Sequence, residues 1–157
     1  MQTQTEISRQ SPNLYSAEQV ARTLGADLEI VKEWLDVGAI DRAVFGGGHF
    51  SKYELHRAAL VFELVKCGIS PSSAKEIIRE VEYDLQRVWE RLPSHFKAYA
   101  IVIPTSRRWL VSWCWKKSSE QINPLPAEGH IVLPVSDTLA RITNEANRYV
   151  NIESATL

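Results

Sequence analysis

The feature that most constrains this chain is a helical hydrophobic period running from Tyr15 to Leu92, cut into pieces by glycine at 25, 38, 46–48 and 68. Breaks of that kind forbid one long rod and require short helices folded back on one another. Ser16 opens the first piece with Gln19 three residues on, the spacing of a capping box. Val20 and Leu24 share a face, Glu18 and Arg22 turn away, and Gly25 supplies the stop. Asp27 is placed to cap a second helix whose apolar stripe is Val31, Trp34 and Leu35, ended by Gly38. Two short helices joined by Gly25-Ala26-Asp27 form a helix-turn-helix pattern.

Arg42 to Phe45 and His49-Phe50 are β-prone pieces flanking Gly46–Gly48, the pattern of a small hairpin or wing. Ser51 and Glu54 repeat the capping-box spacing and open a third helix buried through Ala58, Val61, Phe62 and Val65. After Gly68, Ser70-Pro71 is an N-cap followed by proline at the first helical position. The fourth helix carries an unbroken stripe of Ala74, Ile77, Ile78, Val81, Leu85, Val88, Trp89 and Leu92.

Pro93 closes the helical region, and a domain boundary is expected at Leu92–Ser94. Beyond it the spacing predicts strands over Phe96–Ile103, Arg107–Trp115 and His130–Val135, then a helix capped by Ser136 or Asp137 with a face of Leu139, Ile142, Ala146, Tyr149 and Val150. The expected class is α+β. It comprises a polar leader over 1–13, a helical domain with an extended fourth helix over 14–92, and a small C-terminal α+β unit over 93–157 with a dimerisation or effector role.

Charge and cysteine usage exclude several functions. Net charge is −1, so a nucleic-acid partner has to be argued locally rather than from a global basic field. Cys67 and Cys114 form neither a disulfide framework nor a metal-ligand spacing, and both are expected to be small buried hydrophobes. The four histidines show no i, i+4 ligand pair, and no nucleophile or paired-carboxylate signature has supporting context. These absences lead to the expectation of a protein that is not an enzyme and needs no cofactor or metal, and the lack of a signal peptide or 18-residue apolar run to that of a cytoplasmic one.

The stretch Tyr15 to Val81 resembles the winged helix-turn-helix domain of the MerR family of transcription regulators and its excisionase relatives. The first half of the likeness is YSAEQVARTLGADLEIVKEWLDVGAI, with the family cadence on Gly25, Asp27, Val31, Lys32, Trp34 and Gly38. The second half is GGGHFSKYELHRAALVFELVKCGISPSSAKEII, with the wing's aromatic-Ser pair on Phe50-Ser51. The likeness departs at the wing, where two family arginines are replaced by Gly48 and His49, and at the second helix, where Glu29 and Glu33 stand in place of Arg and Tyr. Charged residues between Tyr15 and Ser70 sum to −2, which weakens phosphate-driven affinity.

What the resemblance implies is a bacterial or phage regulator that binds double-stranded DNA as a homodimer, with RNA polymerase as a further partner. The implied DNA-facing residues are Ser16, Arg22, Glu29, Lys32, Glu33, Arg42, His49 and Lys52. Glu29 and Glu33 can accept hydrogen bonds from cytosine N4, or can simply form a solvated face. Arg42, His49 and Lys52 flank the glycine tip as phosphate contacts or as part of a plain turn. Leu85, Val88, Trp89 and Leu92 form the distal stripe expected at a dimer interface, or packed on the C-terminal unit. Trp109, Val111, Trp113 and Trp115 alternate on one strand face, as core or interface packing ahead of a ligand pocket. Two other functions stay open: a phage or mobile-element DNA-architecture protein of the excisionase or small-terminase type, and a protein-interaction module that has lost DNA binding.

Overall fold

Glycine and serine punctuation sets the helices. The computed structural model describes residues 14–43, 47–91, 95–117 and 129–155, without the side chains of 86, 88–90 and 150–155. The helices are α1 (Ala17–Leu24), α2 (Leu28–Asp36), α3 (Lys52–Lys66), α4 (Pro71–Arg91) and α5 (Val135–Ala155). The strands are β1 (Phe96–Pro104), β2 (Trp109–Lys117) and β3 (Ile131–Leu133). The described chain is therefore α+β, with five helices and one three-stranded antiparallel sheet in the order β2-β1-β3.

Both capping boxes form. The Gln19 N–H donates to Ser16 Oγ at 3.2 Å, and the Ser16 N–H donates to Gln19 Oε1 at 2.8 Å. Ser51 and Glu54 repeat the exchange at the start of α3. Each box satisfies two N–H groups that a helix start leaves without an intrahelical partner. Gly25 ends α1 at φ 68°, and its N–H reaches back to the carbonyls of Ala21 and Arg22. Asp27 occupies the N-cap of α2, but its side chain makes no cap hydrogen bond.

Two turns differ in detail from expectation. The second strand begins at Trp109 rather than Arg107, because Thr105 and Arg108 close a tight turn: Thr105 Oγ1 donates to the Arg108 carbonyl at 2.6 Å, and the Arg108 N–H returns to Thr105 Oγ1 at 3.1 Å. The last helix starts at Val135, so Ser136 and Asp137 lie inside its first turn rather than capping it. Freed from the cap, Ser136 Oγ accepts the Ala98 N–H of β1 at 2.8 Å, and Asp137 pairs with Lys97 at 2.7 Å. These contacts pin α5 to the central strand.

One buried apolar cluster spans both sides of residues 92–94. Val20, Val31, Trp34, Phe50, Leu55, Leu60, Leu64, Ile77 and Val81 share it with Ala100, Val102, Leu133, Val135 and Ile142. The inner sheet face therefore packs on the helices, while α5 lies against α1, α3 and β1. Trp34 and Phe62 meet with ring centroids 6.0 Å apart and the planes tilted. Cys67 is exposed, which corrects its expected burial. It is the C-cap of α3, where the chain leaves the core to turn at Gly68. Cys114 is intermediate in exposure. Among the described residues no helix is long and apolar enough to cross a membrane.

Candidate functional site

The exposed side formed by α1, α2 and the turn at 47–50 gathers most of the residues expected to face a partner. Val31 and Trp34 anchor α2 in the core and leave Glu29, Ile30, Lys32, Glu33, Asp36 and Val37 outside. Phe50 is fully buried and exchanges backbone hydrogen bonds with Tyr15 at 2.7 and 2.8 Å, so the turn is held beside the start of α1. The Ala43 N–H donates to the His49 carbonyl at 2.9 Å, closing the loop. Among the described residues the expected hairpin or wing is represented by this closure, with Phe50 bridged to Tyr15. Val44, Phe45 and Gly46 lie outside the described residues.

Gly47 and Gly48 have φ of 57° and 90°, values that side-chain-bearing residues rarely adopt. A Cβ at Gly48 would stand 3.6 Å from Arg42 Nη1, so Arg42 lies over the turn. Lys32 and His49 both act electrostatically on Glu18, which sits in the first turn of α1. The Glu18 carboxyl is held below its ordinary range first by its own backbone N–H, then by the Ser16 hydroxyl, with smaller help from Lys32 and His49. Lys32 pairs with Glu29 at 2.9 Å, and that hydrogen bond raises its already high pKa, so it stays charged at neutral pH. Ser16, Glu29, Lys32, Arg42 and His49 are thus linked through Glu18, the Glu29–Lys32 pair and the turn, and Glu33 is exposed on α2.

Two expected members are directed elsewhere. The Arg22 guanidinium stacks 5.5 Å over the Tyr149 ring of α5. Lys52 opens α3 and lines a groove between α3, α4 and α5. Of the distal stripe, Leu85 is half-buried against the core and lines the same groove. Val88 and Trp89 lie on α4 with undescribed side chains, and Leu92 is outside the described residues. Trp109, Val111 and Trp113 pack on the core, Trp115 is exposed, and none of the four lines the groove. The Trp113 indole N–H is buried without a hydrogen-bond partner among the described residues.

Sequence reasoning missed two things. Ile30 and Val37 are exposed on the outer side of α2, 36% and 58%, at the i and i+7 positions around Glu33. The signal was available as apolar residues off the Val31–Trp34 stripe. The groove was not legible, since His56, Glu82 and Thr143 come from three separate helices. Among the described residues no group of three or more His, Cys, Asp or Glu is placed to hold a metal ion.

No known protein-family model matches the chain, and no curated protein matches it.

Proposed function

We propose that this chain is a DNA-binding transcription regulator of the MerR-like winged helix-turn-helix type, acting on duplex DNA as a homodimer. The observation that supports it best is the joining of α2 to the turn at 47–50 across α1, with Lys32 and His49 both acting on Glu18. A helix and a neighbouring turn on one face are the elements such a domain offers to a major groove and the adjoining backbone. Lys32 and Arg42 supply phosphate contacts, Glu29 and Glu33 accept from cytosine N4, and Ile30 offers apolar contact to a thymine methyl. RNA polymerase is the further partner that such a regulator implies.

Dimerisation answers the acidity of the reading head. A single head with net charge −2 gains little from counterion release, whereas two linked heads gain through effective concentration. The distal α4 stripe, with Trp89 at its centre, is the proposed contact. The Glu29–Lys32 ion pair favours a second reading, in which the same face binds a protein rather than DNA.

The decisive measurement is DNA binding against salt for wild type and Lys32→Ala, on DNA recovered with the tagged protein and on random duplex. The expected result is weaker binding by the variant and a salt slope lower by roughly one. Unchanged affinity and slope would remove α2 from the interface, and salt-independent behaviour throughout would select the protein-binding reading. Light scattering over a dilution series checks the dimer, with Trp89→Glu expected to shift it toward monomer. A wild type that stays monomeric at tens of micromolar while binding DNA tightly would overturn the dimer.

A further inference from the structure

β2 pairs with β1 along its whole length, and among the described residues no strand lies on its other side. Two contacts fix which backbone groups face that open edge. The Thr105 N–H donates to the Arg108 carbonyl at 3.0 Å, so this pair is hydrogen-bonded across the hairpin. Antiparallel pairs alternate between bonded and non-bonded, so Leu110, Ser112, Cys114 and Lys116 turn their N–H and C=O groups toward β1. Trp109, Val111, Trp113 and Trp115 turn theirs outward. The Ala98 N–H confirms the phase: opposite Trp115 in the register, it points away from β2 and donates to Ser136 Oγ at 2.8 Å.

This edge lacks the usual protections. The strand is nine residues long, contains no proline, and keeps an unbroken one-to-one register with β1, so no bulge bends it away. Its charges, Lys116 and Lys117, stand at one end only. The four residues with outward backbone groups also carry the inner-face apolar row. None of the four is fully buried: Trp115 is 45% exposed, and the other three are half-buried. Unpaired backbone and incompletely covered aromatic surface therefore lie along the same edge.

We propose that the β2 edge pairs with the β2 edge of a second copy, antiparallel about a two-fold axis at Trp113, the middle of the strand. In that register Trp113 faces itself, Val111 faces Trp115 and Trp109 faces Lys117, so every outward N–H and C=O meets its complement. Charge selects this register. It seats Lys116 against Leu110 and holds the two lysine pairs at opposite ends of the ribbon. A centre at Ser112 would set Lys116 against Arg108, and parallel pairing would stack lysine on lysine. The contact adds to the homodimer reading without using the distal α4 stripe, and it holds whatever the reading face binds.

The test uses the full-length chain at tens of micromolar in a Cys67→Ser background, which removes the exposed thiol at the end of α3. Ser112 is exposed and in this register stands opposite Cys114 of the second copy in a non-bonded pair. Such pairs have Cα atoms about 4.5 Å apart, within reach of a disulfide. With diamide as oxidant, Ser112→Cys is expected to give a covalent dimer, linked between position 112 and Cys114 of the other copy by peptide mass spectrometry. The background alone is expected to give at least fivefold less. Trp115→Lys, also at an exposed position, is expected to cut the cross-linked fraction at least fivefold. No covalent dimer, a main product joining 112 to 112 or 114 to 114, or a yield unmoved by Trp115→Lys would each overturn the proposal. Trp89→Glu separates the two contacts. Cross-linking that survives it supports the edge, whereas a dimer that it dissociates and that Ser112→Cys cannot link keeps the α4 contact and overturns the edge. A chain that stays monomeric throughout would also overturn it, leaving the edge to a strand of another protein.

Discussion

His56 on α3 and Thr143 on α5 meet through Nε2 and Oγ1 at 3.0 Å although 87 residues separate them in the chain. Burial first, and then the Lys52 charge, hold the imidazole pKa below its ordinary value. The folded protein therefore takes up this proton less readily than the unfolded chain. The contribution of His56 is fully favourable above the unfolded pKa of ~6.5 and is lost as pH falls from there toward the folded pKa. Glu82, shifted upward by burial, acts in the opposite sense: its folded form is favoured below the unfolded carboxylate pKa and is penalised as pH rises above it. Urea midpoints of wild type are expected to fall between pH 7.5 and 5.5, and His56→Gln is expected to flatten that fall. An equal slope in both proteins would assign the pH dependence to another group.

Ser16→Ala and Ser51→Ala each remove the hydroxyl of a formed capping box. Each is expected to cost about 1 kcal/mol in urea unfolding. Only Ser16 belongs to the proposed DNA face, so only Ser16→Ala is expected to weaken duplex binding at a temperature where both variants are folded. Equal DNA affinity in the two variants would leave Ser16 with a capping role alone.

Gly47→Val meets open space, since no atom lies within 4 Å of the Cβ it would add. Its cost therefore comes from the backbone at φ 57°, about 1 kcal/mol or more for a residue with a side chain. Distortion of the turn is expected to lower DNA affinity by a larger factor than it lowers the folding constant. A drop in melting temperature with unaltered affinity per folded molecule would show that the turn only connects.

Ile142 is fully buried in the cluster that also holds Val20 and Leu55. Ile142→Ala is expected to destabilise the protein by about 2–5 kcal/mol. Because the core is continuous, amide exchange should quicken in α1 and α3 as well as in α5. Faster exchange confined to residues after 95 would instead separate the chain into two independently unfolding parts.

How much of this was legible in the sequence depended on the range of the interaction. Ser16-Gln19, Ser51-Glu54, Gly25 and Pro71 act within a few residues, and the helices begin and end where those signals place them. The Trp109-Val111-Trp113-Trp115 alternation identified a strand with one inward face, and the register pairs those positions with Pro104, Val102, Ala100 and Ala98. Ser136 was misread because its partner, the Ala98 N–H, is 38 residues away. Cys67 was misread because composition says nothing of where a helix emerges from a core. The candidate DNA face was legible as a set of residues, but Arg22 and Lys52 were drawn away by Tyr149 and by the groove, both built from tertiary packing.

The seating of α5 across α1 and α3 has a consequence for biosynthesis. A ribosome delivers the chain from its amino end, so Val20, Leu55 and Leu64 emerge long before Ile142 and Ala146, with which they share one core. Closing contacts of such wide sequence separation slows folding and prolongs the exposure of apolar surface. The nascent N-terminal helices must therefore wait, partly uncovered, until the last helix clears the exit tunnel, and in that interval they are open to capture by a chaperone.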